Sequence, residues 1–185
     1  MWALTVLAQI AVRLGRAQLA EEHFRQALSL GLRDTYLLGA YTDFLLDQNR
    51  PREVQGLLKE DTRPDDLLLR LTLAEQRLNL PQLSNHRESL RARFAANRLR
   101  GETLHLRNEA RFALCLSNKP TEALQLAQKN WALQREPWDA RLLLEAALRA
   151  DEASAARPVL DWLAVSKLED VQIQRLVDQI KNFQK

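Results

Sequence analysis

An all-α fold of successive helices is what this sequence predicts. Three observations carry the helical part. Leu, Ala, Arg, Gln and Glu dominate the 185 residues, and all lose little on entering a helix. β-branched residues are sparse, and no stretch keeps a strict alternation of apolar and polar positions. The 5 glycines and 6 prolines fall mostly between segments whose apolar residues recur every three to four positions. At 46% hydrophobic residues the chain is apolar and long enough to bury a core, which excludes a disordered chain.

The spacing predicts eleven helices, over 3–14, 17–30, 35–47, 51–60, 65–79, 82–98, 103–117, 120–135, 138–150, 152–165 and 167–182. In the first, Leu4, Leu7, Ala8, Ala11 and Leu14 are read as one face, and Gly15-Arg16 ends it. The second carries Ala20, Phe24, Ala27 and Leu30 on one strip. Asp34 and Asp65 stand where the third and fifth helices need N-caps. Pro51 and Pro120 occupy first turns, where a missing N–H costs no intrahelical bond. Leu90 and Phe94 give the sixth helix its core side. Pro137 stops the eighth, and Trp138 opens the ninth. Ser166 with Glu169 reads as a capping box for the last helix. That helix carries Ile173, Leu176, Val177, Ile180 and Phe183 opposite Gln172, Arg175, Asp178 and Lys181, as suits a terminal cap.

A repeat underlies the order. The stretch GRAQLAEEHFRQALSL, residues 15–30, returns in part 34 residues later: Asn49 stands for Gly15, Val54 for Ala20 and Leu58 for Phe24. A shift of 103 residues brings Asn118, Ala123, Ala127 and Leu133 to the corresponding places. Each stretch reads as a tight turn followed by the second helix of an αα-hairpin. Small residues at Ala8, Ala20 and Ala27 let the two backbones approach, with Leu7 and Phe24 filling the remaining space.

A helix-turn-helix period of 34 resembles the tetratricopeptide repeat family. Its small-large-small spacing is present at Ala8, Ala20, Phe24 and Ala27 and is weaker at Val54, Leu58, Ala123 and Ala127. The resemblance departs from the family at Leu4, where an aromatic is usual, at Ala8, where glycine is usual, and at Leu32, where a proline is usual. It implies a right-handed α-solenoid of about five antiparallel helix pairs, near 1–34, 35–64, 65–101, 102–137 and 138–165, plus a capping helix over 167–182, in a single domain. It also implies that first helices line a concave groove. By helix position that groove takes Gln9 and Arg13, then Tyr36, Asp43 and Asp47, then Glu75 and Asn79, then Asn108 and Phe112. The family's clamp for a partner's C-terminal carboxylate uses Lys and Asn. The matching places here hold Thr5, Gln9 and Ala40, so that clamp is not expected.

Catalytic chemistry finds no motif. There is no G-x-S-x-G, no Gly-rich phosphate loop and no H-E-x-x-H. His23, His86 and His105 lie far apart in sequence. His105 and Cys115 are ten residues apart on one predicted helix, nearly three turns, too far to share a metal. Adjacent carboxylates, Glu21-Glu22 and Asp65-Asp66, point about 100° apart on a helix and do not converge. Neither enzyme activity, cofactor nor metal is expected.

A formal charge of +3 with a sequence pI near 9.3 is a mild basic bias. Its densest part is HRESLRARFAANRLR, residues 86–100, which suits either an anion-binding stripe or a solvated helix face. Only Phe94 is aromatic there, and the core needs it, so no set remains for base stacking. A nucleic-acid partner is therefore disfavoured. Trp131, Trp138 and Trp162 read as packing between helix pairs.

The single Cys115 excludes an internal disulfide. No apolar run reaches the length of a membrane span. The opening MWALTVLAQIAVRLG lacks a basic lead and a cleavage site and reads as a mature helix that begins inside a pattern, as a trimmed fragment would. Cytoplasm is the default compartment, with periplasm or secretion following if a targeting segment was removed. The expected function is a non-catalytic scaffold that binds a peptide or helix of a partner protein. The alternatives are an RNA-binding helical repeat using Arg87–Arg100 and a self-associating module of a larger protein, a homo-oligomer pairing through its first hairpin.

Overall fold

The computed structural model describes residues 1–183, and every regular element among them is helical. The helices are α1 (Trp2–Arg13), α2 (Ala17–Ser29), α3 (Thr35–Asp47), α4 (Pro51–Leu58), α5 (Asp65–Leu78), α6 (Leu83–Leu99), α7 (Leu106–Cys115), α8 (Pro120–Leu133), α9 (Pro137–Arg149), α10 (Arg157–Ser166) and α11 (Val171–Phe183). A short 3-10 turn, Ala153–Ala156, leads into α10. The chain forms two compact units, Met1–Ala96 and Asn97–Lys185.

In the first unit α1 packs along α2, and α3 touches both. α4 lies against α3 and α5, and the first helices α1, α3 and α5 follow one another side by side. Ala8, Ala20, Phe24, Ala27, Val54 and Leu58 are all fully buried. The Phe24 ring meets Tyr41 at 5.0 Å and Phe44 at 5.7 Å between centroids, so α3 fills the space around it. Leu7 does not help: it is 47% exposed. At 100° per residue Leu7 stands a quarter-turn from Ala8, and the inward face is Thr5, Ala8 and Ala11. Leu14, Leu30 and Leu133, placed by spacing on inward strips, are also exposed.

In the second unit α7 packs on α8, α8 on α9, and α11 lies along α9. Ala123 and Ala127 are buried in its core with Leu142, Leu143, Leu144 and Val159. Trp131 meets Trp162 edge-on at 5.3 Å. Ile173, Val177 and Ile180 of α11 are buried, whereas Phe183 is exposed.

One turn recurs through both units. Gly15, Asn49, Asn79, Asn118 and Asp151 all hold positive φ, between 50° and 72°, each just after the first helix of a pair. After α1, α3, α5 and α9 the following N–H reaches back five residues: Arg16 to Ala11, Arg50 to Leu45, Leu80 to Glu75, Glu152 to Ala147. This left-handed closure satisfies carbonyls that a helix end leaves open.

The helix ends differ from expectation at two places. Asp34 does cap α3, its Oδ1 accepting from Leu37 N–H at 3.0 Å. Asp65 is instead the first residue of α5, after Pro64, where its charge faces the positive helix end. The Ser166–Glu169 capping box does not form. Ser166 ends α10, Lys167 takes φ 54°, and Asp170 caps α11 through the N–H groups of Gln172 and Ile173. The left-handed Lys167 spends the expected first turn of that helix on a connection.

Candidate interaction surface

Consecutive first helices of the first unit are tied by side chains placed on the groove in sequence. Tyr36 Oη–H of α3 donates to Gln9 Oε1 of α1 at 2.5 Å, and Tyr36 is 46% exposed. Arg70 of α5 donates to Asp43 of α3 at 2.6 Å and to the Gly39 carbonyl at 3.1 Å. Arg77 donates to the Leu46 carbonyl. Asp43 is therefore buried inside an ion pair rather than presented to a ligand.

Glu75 is buried too. His86 Nδ1 lies within hydrogen-bond distance of its Oε1, at 2.9 Å. Asn79 closes α5 in the left-handed conformation at φ 52°. Asp47 and Arg13 are half-buried. The residues brought together are thus Gln9 with Tyr36, whereas Asp43 and Glu75 turn to internal basic side chains. An acidic residue at a helix-helix seam, with a basic residue one helix later, was the available signal.

In the second unit Asn108 is half-buried and Phe112 is 7% exposed, so the phenyl ring belongs to the core. Unforeseen beside them is Trp138, with the Arg111 guanidinium 4.8 Å and the Arg141 guanidinium 4.6 Å from its ring centroid. Arg107 closes on Asp139 and Glu136, each at 2.6 Å, and Asp139 also accepts from Asn130. Glu136 N–H donates to Asp139 Oδ2, so the acid three residues into α9 holds its N-terminus. That Glu-x-x-Asp spacing was legible in the sequence.

Four helices after the first each bury a carboxylate: Asp43, Glu75, Glu109 and Asp139 on α3, α5, α7 and α9. Their partners are Arg70, His86, Arg98 and Arg107. Glu109 is the least compensated. Arg98 reaches one oxygen at 3.2 Å, and the buried Oε1 has no hydrogen-bond partner. Burial pushes its carboxyl above the usual range, against the pull of Arg98. His23 Nδ1 and Asn97 Nδ2 are likewise buried without partners.

The basic stretch of α6 is largely neutralised. Arg91 pairs with Glu88, Arg93 with Asp65, Arg98 with Glu109 and Glu122, and Arg100 with Glu102. Four of its five arginines are so engaged, which leaves little continuous positive charge for a phosphate backbone.

The first helix offers a different surface. Trp2, Ala3, Leu7 and Leu14 are exposed, and Val6 and Ile10 are half-buried. At 100° per residue all six fall within about 140° of arc, facing away from Thr5 and Ala8 and bordering Ala11 at Leu7, so they make one largely apolar face, with Arg13 between Trp2 and Val6.

Among the described residues no group of three His, Cys, Asp or Glu side chains could hold a metal ion. Cys115 is half-buried against the core of the second unit. No described helix is long and apolar enough to cross a membrane. No protein-family model, curated protein or solved structure matches this chain.

Proposed function

We propose that this chain is a protein-binding helical module of tetratricopeptide type, with no catalytic role, which holds a helix or peptide of a partner. The observation that carries the reading is the uncovered apolar face of α1, with Trp2 at 69% and Leu7 at 47% exposure. Exposed apolar patches rimmed by polar residues mark interaction sites. The repeat assignment draws support from the left-handed closures at Gly15, Asn49 and Asn118, which sit at the 34- and 103-residue shifts read from sequence. A solenoid of helix pairs presents faces suited to extended or helical ligands.

The test is a selection. A display library of random peptides about one helix long is panned against the immobilised chain, and enriched peptides are mapped onto it by amide chemical shifts. Enrichment that disappears on Leu7→Asp, with shifts centred on α1, supports the reading. A library that yields no enriched peptide removes it.

A further inference from the structure

We propose that the outer face of α1 docks an amphipathic helix of another polypeptide whose polar flank is acidic. The inference deepens the protein-binding reading and rests on it.

The shape of the face sets the occupant's form. α1 has 12 residues, so its apolar arc runs for about 18 Å, three turns of helix. The apolar side chains of that arc fall at spacings of three and four: exposed Ala3 and Leu7, half-buried Ile10, and exposed Leu14. That is a ridge, and a second helix with apolar residues at the same spacings interlocks with it.

The charge sets the occupant's chemistry. α1 contains no carboxylate, and its one charged side chain is Arg13, followed by Arg16 in the turn. Neither arginine makes an ion pair with any described residue, unlike the neighbouring Arg25 and Arg50, which both hold Glu21. Of the carboxylates that follow in sequence, Glu21 is engaged in those pairs and Glu22 accepts from Gln18. An incoming helix with Glu or Asp beside its apolar stripe supplies what Arg13 and Arg16 lack.

The same charges disfavour two other occupants. In a second copy packed antiparallel, each Arg13 would meet the positive N-terminal end of the other α1. Packed parallel, Arg13 would meet Arg13, and α1 has no acid to answer either arrangement. Helices that lie on membranes carry cations along both borders of the apolar face. Here the two cations cluster at one end.

The experiment compares two synthetic peptides with the full chain. One has leucines at three- and four-residue spacings flanked by glutamates; the other has lysines in place of the glutamates. The expected result is that the glutamate peptide binds at least about tenfold more tightly and shifts the α1 amides. The double variant Arg13→Glu, Arg16→Glu should invert that preference. Leu7→Asp, and separately Trp2→Ser, should weaken both peptides while the circular dichroism melt stays unchanged. Equal binding of the two peptides, or tighter binding of the lysine peptide, overturns the proposal. So does a dimer in sedimentation equilibrium that Leu7→Asp dissolves, which gives the face to a second copy. Binding to phosphatidylserine vesicles that Leu7→Asp abolishes overturns it in favour of a membrane. Should the library yield α1-bound peptides that are not acidic, the chemistry falls while the protein-binding reading stands.

Discussion

Arg70 of α5 and Asp43 of α3 form a closed ion pair at 2.6 Å, with only 14% and 5% of their side chains exposed. The pair joins two consecutive first helices, and Arg70 also caps the Gly39 carbonyl. Removing one partner of such a pair leaves the other charge in a poorly solvated place. Arg70→Met should therefore lower stability by roughly 3 kcal/mol in urea unfolding. A loss under about 0.5 kcal/mol would mean that the pair is solvated and contributes little. Charge reversal at Asp43 should likewise unfold the module before it reports on a ligand.

Two carboxylates should give opposite pH dependences. Arg50, hydrogen-bonded to Glu21 at 2.7 Å, holds the Glu21 carboxyl below its usual range, against the opposing effect of burial. That contribution is complete above the ordinary glutamate range and is lost as pH falls through the lowered folded value. Arg50→Ala should cost about 1 kcal/mol near pH 7, and its difference from wild type should shrink in acid. Glu109 runs the other way. Its folded carboxyl is raised by burial, so the protein loses stability as pH climbs from the unfolded value to the folded one. Glu109→Gln should compare better with wild type near pH 7 than near pH 4. Thermal melts across that interval check both signs, and a flat difference for either variant would remove its assignment.

Phe24 and Leu7 separate the two sides of the first hairpin. Phe24→Ala opens a cavity beneath Tyr41 and Phe44 and should cost about 3–5 kcal/mol. Leu7→Ala, at an exposed site, should stay within roughly 0.5 kcal/mol. Equal costs in denaturant unfolding would place Leu7 in the core after all.

The recurrent turn sets a third comparison. Asp151 holds φ 57° and Asn49 φ 55°, a region where side chains other than glycine are strained. Asp151→Gly should raise the unfolding midpoint, and Asn49→Val should cost about 1–2 kcal/mol. A Val variant as stable as wild type would show that the helix end can close another way.

Sequence spacing located nearly every helix because helix ends are local events. The α2 and α8 strips, the prolines in the first turns of α4 and α8, and Asp34 are all decided within a few residues. The turns were legible as well, since Gly15, Asn49 and Asn118 share one backbone demand. The faces were harder. Leu7 and Ala8 are neighbours in sequence and a quarter-turn apart in space, and only a packed α3 reveals which of them is covered. Asp43 and Glu75 looked like groove acids because their partners, Arg70 and His86, stand on later elements.

By itself, then, the sequence determined the helical class, the turns and the small residues at close contacts, because these depend on backbone preference and on neighbours within one turn of helix. Tertiary structure alone decided which carboxylates are buried, which cations answer them, and that α1 keeps its Trp2, Leu7 and Leu14 outside. Burial and ion pairing are properties of surfaces that meet, and partners some thirty residues apart are matched only when the helices that carry them pack.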